Sequence, residues 1–372
     1  MTRLLLLSLL FCFACASPKQ AETETPDTSP SERDIDVIAY YHGETSRLEN
    51  YPLEELDMII HSFLHLKGNK LALDDDQDSV SITHMVSLKE QYPDLKVLTS
   101  LGGWGGCKPC SEVFATAEGR QEFAESTKEL LDKFGLDGLD LDWEYPGIAG
   151  YPEHPYMPED KENFSLLIEK LREVLGPDYQ LSFAAGGFQS FFEKSADWAR
   201  IMPLLDRVNL MSYDLVSGYA TRTGHHTPLY STSEQIRSTD RGVRWLDSAG
   251  VDRKKIVIGA AIYARFWEEV PNENRGLYQP GKFLKAVSYR DHEAFWADNP
   301  GFEFYWDSTA QATWGYNAEK GWFATFDDPR SVAAKTQYAR DMKLGGIMFW
   351  QLPEDKETGG LLGDIAQVAN AQ

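Results

Sequence analysis

The sequence predicts a (β/α)8 barrel with one small inserted α+β subdomain, and three observations carry that prediction. Eight short apolar runs recur between Asp36 and Leu352. Several of the intervals between them have the apolar spacing of amphipathic helices. One interval, between Tyr263 and Phe326, is too long and too rich in Trp, Tyr, Phe and Gly for a bare loop, which predicts a subdomain over residues 265–325. Alternating strands and helices imply a parallel sheet, and in a barrel the functional residues sit at the C-terminal ends of the strands.

The elements run in order. MTRLLLLSLLFCFAC, residues 1–15, sets one Arg before an apolar run too short for an ordinary spanning helix, as in an export signal. Cys15 follows Ala14 and precedes a polar stretch, so the segment resembles a bacterial lipoprotein signal with Cys15 as the lipidated first residue; cleavage near Ala16 is the alternative. In both cases the protein is exported, anchored to a membrane or secreted. Residues 16–33, rich in Ser, Thr, Pro and Glu, read as a flexible tether, and the barrel is expected over residues 34–372. The strands are DVIAYY (36–41), MIIHSFLHL (58–66), KVLTSLGG (96–103), GLDLDWE (138–144), QLSFAAGG (180–187), RVNLMSYD (207–214), KIVIGAAIY (255–263) and GGIMFWQL (345–352). Helices are predicted over Glu112–Phe134, Asp160–Leu175 and Ser331–Lys343. In the second, Phe164, Leu167, Ile168, Leu171 and Leu175 form one apolar stripe.

Composition narrows the function. A net charge of −22 opposes nucleic-acid binding, because phosphates would be repelled, but leaves neutral ligands open. Ten Trp among 12% aromatic residues suit either a large aromatic core or flat platforms for a ligand's apolar faces. Cys107 and Cys110, in CKPC, could suggest a redox centre. In an exported chain with no second metal-like pair, a local disulfide is the better reading. The doublet His225–His226 has no acidic or Cys partner spaced nearby and reads as loop structure, so no metal site is predicted.

The segment DGLDLDWEYPG (137–147) carries the chemistry. Side chains alternate along a strand, so Asp140, Asp142 and Glu144 share one face and Leu139, Leu141 and Trp143 the other. In a barrel the acidic row points into the lumen and climbs to the mouth, with Glu144 highest. Clustered buried carboxylates share protons, and at least one pKa rises. A carboxylic acid held protonated near neutral pH is a general acid. Asp137, at the strand's start, is expected to be structural.

This segment resembles the D-x-x-D-x-D-x-E signature of glycoside hydrolase family 18, the chitinases. SLGGW (100–104), MSYD (211–214) and Trp350 fall in the family's order, and YARFW (263–267) with the segment after it resembles the insertion domain of subfamily A. The resemblance covers Asp34 to the C-terminus. It implies a retaining chitinase that cleaves β-1,4 links of chitin or chitooligosaccharides with the substrate's own N-acetyl oxygen as nucleophile, without a cofactor and as a monomer. By it, Glu144 is acid and then base, Asp142 orients the acetamido group, Asp140 shares its proton, and Tyr213 bonds the acetamido carbonyl. Trp350 is the floor under the reacting sugar, Trp104 a second platform, and Tyr40, rather than Tyr41, faces the lumen. Ser100, Tyr145, Met211, Asp214 and Arg265 join the sugar site, with Tyr219 on the leaving-group side where many relatives carry Trp. A chitin-binding lectin and an endo-β-N-acetylglucosaminidase are the rival readings. The retained Glu144 disfavours the first, and the insertion with WEYPG the second. Trp267, Tyr305, Trp306, Trp314 and Trp322 exceed what one small core holds, so some are expected to face the groove or the barrel.

Overall fold

Each of the eight apolar runs forms a strand, and the strands close on themselves. The computed structural model describes residues 33–371. The predicted signal, Cys15 and all of the tether but Arg33 lie outside the described residues. The strands are β1 (Asp36–His42), β2 (Met58–Lys67), β3 (Lys70–Ala72), β4 (Lys96–Gly102), β5 (Gly138–Asp142), β6 (Gln180–Gly186), β7 (Arg207–Met211) and β8 (Ile256–Ala261). They continue as β9 (Tyr263–Glu268), β10 (Lys282–Ser288), β11 (Phe302–Asp307), β12 (Ala312–Asn317), β13 (Trp322–Phe326) and β14 (Gly346–Trp350). The barrel order is β1-β14-β8-β7-β6-β5-β4-β2, all parallel, and β1 pairs with both β14 and β2 to close it. The short β3 pairs back on β2 as an antiparallel hairpin.

Strand alternation sorts the side chains into two layers. Ile38, Tyr40, Met58, Ile60, Leu98, Val257 and Met348 fill the lumen. Tyr41, Leu139, Leu141 and Trp143 point outward into the larger core shared with the helices. Asp160–Leu175 forms a helix with the predicted bounds. The stretch predicted as one helix over Glu112–Phe134 is two, Cys110–Phe114 and Ala117–Phe134, because Thr116 is extended and its hydroxyl caps the second by accepting from Gly119 N at 2.9 Å. The last predicted helix starts earlier, at Pro329, behind a reciprocal cap between Asp328 and Ser331.

Between β8 and that helix the chain builds a five-stranded antiparallel sheet, β10-β9-β13-β12-β11, with the helix His292–Asp298. Both faces of this sheet are covered, so it has two cores. Trp267, Trp314, Tyr316 and Phe323 pack on one face with Tyr305, Val216 and Ala220; Phe266 and Phe326 pack on the other with Phe295, Trp296 and Phe302. Trp267 is fully buried and donates to the Ala220 carbonyl, in the segment after β7, at 2.9 Å. Trp306 lies under the Arg330 guanidinium at 3.9 Å, and Trp322 under Lys320 at 4.5 Å. Of the expectation that some of these rings face the groove or the barrel, the second alternative holds: Trp267 and its cluster meet the barrel segment after β7, and none of the five is an exposed aromatic surface.

A buried ion pair joins the subdomain's return to the barrel. Lys335 Nζ lies 2.6 Å from Asp327 Oδ2, with both side chains at 0% exposure. Asp327 also accepts from Ala261 N at 3.0 Å, Ser331 Oγ at 2.6 Å and Thr227 Oγ1 at 3.3 Å, which ties β8, the last long helix and the segment after β7 together. Removing one partner of such a pair leaves a buried charge uncompensated. Lys335→Met is therefore expected to destabilise the protein by about 3–5 kcal/mol in denaturant melts. A change under about 1 kcal/mol would place the pair among ordinary surface ion pairs.

Candidate active site

The two strands that matter most face each other across the mouth. Between β5 and β14 lie β6, β7 and β8 on one side of the ring and β4, β2 and β1 on the other. A group bound over the end of β14 is therefore approached from the far side by the end of β5.

At the base of the acidic row, Asp140 is 0% exposed and fully engaged. Tyr40 hydroxyl (3.1 Å) and Ser100 Oγ (2.8 Å) donate to Oδ2, while Ser182 Oγ (2.6 Å) and Asn209 Nδ2 (3.1 Å) donate to Oδ1. Burial raises its pKa, and the four donors oppose that rise. Asp142, one step higher, is also buried, yet its Oδ1 has no hydrogen-bond partner. Burial, then the charges of Glu144 and Asp140, push it well above the carboxylate range. Glu144 lies just past the strand end. Burial raises its pKa to about 7, with the Tyr145 hydroxyl opposing and the Asp214 charge adding. The row is thus a proton-sharing set with a neutral-range acid at its top.

The backbone around the row is adapted to it. Gly102 ends β4 at φ +108°, and a Cβ there would sit 2.4 Å from the Asp142 carbonyl; the next amide, Gly103 N, donates to that carbonyl at 2.9 Å. A side chain at Gly259 would come within 2.7 Å of the Tyr213 ring. Asp137 is structural in its contacts, accepting from Val97 N at 2.8 Å and pairing with Lys89 at 2.8 Å.

Across from the row, Tyr213 and Met211 pack against the lumen cluster with Trp350. Burial holds the Tyr213 phenol well above its usual pKa, so it remains a donor, and its hydroxyl reaches only the Met348 sulfur at 3.9 Å. Tyr40 lies beside Trp350 at 5.9 Å, and Phe63 stacks on Trp350 at 5.5 Å. Tyr41 points the other way, to the Glu44 carbonyl. Asp214 and Arg265 meet in a bidentate ion pair, and Tyr263 donates to Asp214 at 2.9 Å. Burial alone would raise Asp214, but His226 and Arg265 hold it below the usual carboxylate range. Trp104 stands at the rim, 47% exposed, with Tyr145, Tyr151 and Tyr219 rings at 6.3, 5.5 and 6.3 Å.

The Cys107–Cys110 disulfide is present beside that rim. The next residue, Ser111, donates to Asp160 at 2.8 Å, and Asp160 accepts from Gly147 N and Met157 N at 3.3 and 2.9 Å. The loops after β4 and β5 are therefore tied together.

Sequence reasoning missed Ser182, Asn209, Tyr263 and His226. The first two had a signal: each is a polar side chain in the interior of its strand, QLSFAAG or RVNLM, flanked on both sides by apolar residues. The histidines had none nearby. His226 Nδ1 lies 3.5 Å from Asp214, and His225 Nε2 lies 3.2 Å from Asp307, 82 residues away in sequence. No group of three His, Cys, Asp or Glu side chains suited to a metal ion occurs among the described residues.

Comparison with known proteins gives one family. The model for glycosyl hydrolases family 18 matches residues 36–355. Chitinase A1 of Niallia circulans is 33% identical over 300 residues, 74% of this chain but only 43% of that protein. Chitinase B of Serratia marcescens is 26% identical, over 90% of this chain and 84% of its own length. The solved structure of a family 18 N-acetylglucosaminidase from Paenibacillus barengoltzii superposes with a TM-score of 0.82 at 36% identity, covering 90% of this chain and 99% of that one.

The electrostatics make a direct prediction. Asp214→Asn removes a negative charge that raises Glu144 and frees Arg265 to act on the row, so the Glu144 pKa falls below about 7. Carbon-13 titration of labelled glutamate carboxyls, with Glu144→Gln to assign the signal, reads this directly. An unchanged or higher value would remove Asp214 from the balance.

Proposed function

This chain belongs to the glycosyl hydrolases of family 18, and from that premise we propose that it is an exported chitinase that cleaves β-1,4-linked N-acetylglucosamine chains with retention of configuration. The observation that carries the proposal is the state of the carboxylates at the mouth. Asp140 is saturated by four donors, and Asp214 is locked to Arg265 and Tyr263. Asp142 is buried with a raised pKa. None of these is a ready nucleophile, whereas Glu144, raised to about 7, is a ready acid.

The chemistry then runs through the substrate's own acetamido group, a known exception to the two-carboxylate scheme. The reacting sugar lies with its apolar face on Trp350. Glu144 gives its proton to the glycosidic oxygen as the C1–O bond breaks, and the acetamido carbonyl oxygen closes on C1 to form an oxazolinium ion. The unpartnered Asp142 Oδ1 suits the acetamido N–H, and the Tyr213 hydroxyl suits its carbonyl. Water then attacks C1 as Glu144 takes back a proton, so two inversions give retention. The subdomain is read as the insertion domain of subfamily A.

A second reading has its own support. The 36% identity and full-length match to the Paenibacillus barengoltzii N-acetylglucosaminidase favour release of single sugars. Sizing the products of an N-acetylglucosamine tetramer separates monomer from dimer release.

Glu144→Gln is expected to lower turnover of such oligomers by at least about 10²–10⁴-fold with an unchanged melt. In the parent enzyme kcat/KM should fall as pH rises through about 7, because the acid must carry its proton. Fully deacetylated polymer should be inert; hydrolysis at the rate of chitin would sink substrate assistance. Export and anchoring rest on the leader before Cys15. Cys15→Ser should shift the protein from the membrane fraction to the soluble one, and an unshifted distribution would refute lipidation.

A further inference from the structure

The carboxylate that opens the helix Asp160–Leu175 lies outside the acidic row, yet it holds the loop that follows Glu144. Asp160 is 0% exposed, and its donors come from the segments after β4 and β5. Gly147 N at 3.3 Å and Met157 N at 2.9 Å both donate to Oδ2. The Ser111 hydroxyl donates to Oδ1 at 2.8 Å and lies 3.0 Å from Oδ2. Both ends of the loop therefore meet on one oxygen, and a single side chain closes it.

Between those ends the chain has little else to hold it. Ile148 is buried in the main core, but residues 151–159 are exposed or half-buried and form no helix or strand. The closed loop bears on the backbone of the acid itself. A Cβ at Gly150 would sit 2.0 Å from the Glu144 carbonyl oxygen, so the two backbones are in direct contact. Tyr145, the next residue, packs edge-on against Phe188 and Phe191 at 5.3 and 5.5 Å. Apolar burial is non-directional and sets only where such a segment lies, whereas hydrogen bonds with preferred angles set which way it faces. A general acid needs its proton within hydrogen-bond reach of the leaving oxygen, so that direction matters.

We infer that Asp160 is a positioning residue for the acid: by closing the loop over residues 147–157 it fixes the backbone from which Glu144 projects, without touching substrate. This rests on the reading above that Glu144 is the acid.

Two substitutions separate the pinned loop from the lost carboxyl. In Asp160→Asn the amide oxygen still serves Gly147 and Met157, and Nδ2 donates to Ser111 Oγ, because a hydroxyl both donates and accepts. Asp160→Ala keeps neither. On a tetramer of N-acetylglucosamine, well below the melt of each variant, Asp160→Ala should lower kcat about 10- to 100-fold with KM within about threefold, the scale of a misplaced reacting group. Its fall in kcat/KM at high pH should begin at lower pH than in the parent. Burial is the largest influence raising Glu144, and an opened loop admits water. The other groups facing Glu144, namely Asp142, Tyr145 and Asp214, are the same in every variant. Asp160→Asn should recover kcat to within about threefold and restore the pH limb.

Equal changes in both variants would assign the effect to the lost carboxyl, and a folded Asp160→Ala with parent kcat and pH limb would leave Asp160 a stabilising residue only. Either result overturns the inference. Should Asp160→Ala fail to fold, Gly150→Ala tests the same contact from the loop side, with Asp160 intact. It should lower kcat and shift the limb in the same direction, and parent behaviour would overturn the inference. A parent enzyme inactive on the tetramer would instead overturn the functional reading itself.

Discussion

The structure depends on a carboxylate that cannot face water. Asp140 sits at 0% exposure in the barrel lumen, and four neutral donors from β1, β4, β6 and β7 converge on it. An unpartnered charge at such a depth would be prohibitive, so half the strands of the barrel each supply a polar side chain to hold it. Asp142, one step higher in the row, is held differently. No side chain of the lumen donates to Asp142 Oδ1, which is left unpaired. Burial, then the charges of Glu144 and Asp140, raise the Asp142 pKa, and under the proposed mechanism its unpaired oxygen receives the substrate amide.

The acidic row was legible because strand alternation needs only local sequence. Spacing alone puts Asp140, Asp142 and Glu144 on one face, and the lumen and helix layers divide as that alternation requires. Tyr40 and Tyr41 divide in the same way. What was not legible depends on contacts between distant segments. Asn209 and Ser182 matter because the barrel brings β7 and β6 to Asp140, and only their polarity in apolar strands hinted at it. His226 looked idle because its partner, Asp214, becomes a neighbour only after the loop behind β7 folds back. The split of the predicted helix over Glu112–Phe134 is a smaller case, in which a local cap at Thr116 overrode the helical spacing around it.

The aromatic surplus of the insertion shows where counting rings misleads. A single small core cannot enclose so many, but a sheet covered on both faces has two cores, and the second draws on the barrel through Val216 and Ala220. The subdomain therefore shapes the cleft with the strand that leaves the barrel, not with its tryptophans. Tyr263 and Arg265 begin β9 directly after β8, and both reach back to Asp214. The buried Asp327–Lys335 pair closes the other end of the excursion on β8 itself. Entry and exit are both fixed to the barrel, so the position of Arg265 is set by the barrel as much as by the subdomain.

This connection supports the proposed role of Glu144, and not Asp142, as the acid. Both carboxyls are raised chiefly by burial. Asp142 lies between Asp140 below and Glu144 above, so each of its neighbours disfavours its charge. Glu144 lies past the strand end, where the opposing influences are balanced: Asp214 raises it, while Arg265 and His226 hold Asp214 ionised so that this influence persists. Were Asp214 free to take up a proton near neutrality, its effect on Glu144 would vanish in the range where the acid works. Locking it well below that range with a guanidinium carried by the inserted strand makes the Glu144 pKa a fixed property of the fold.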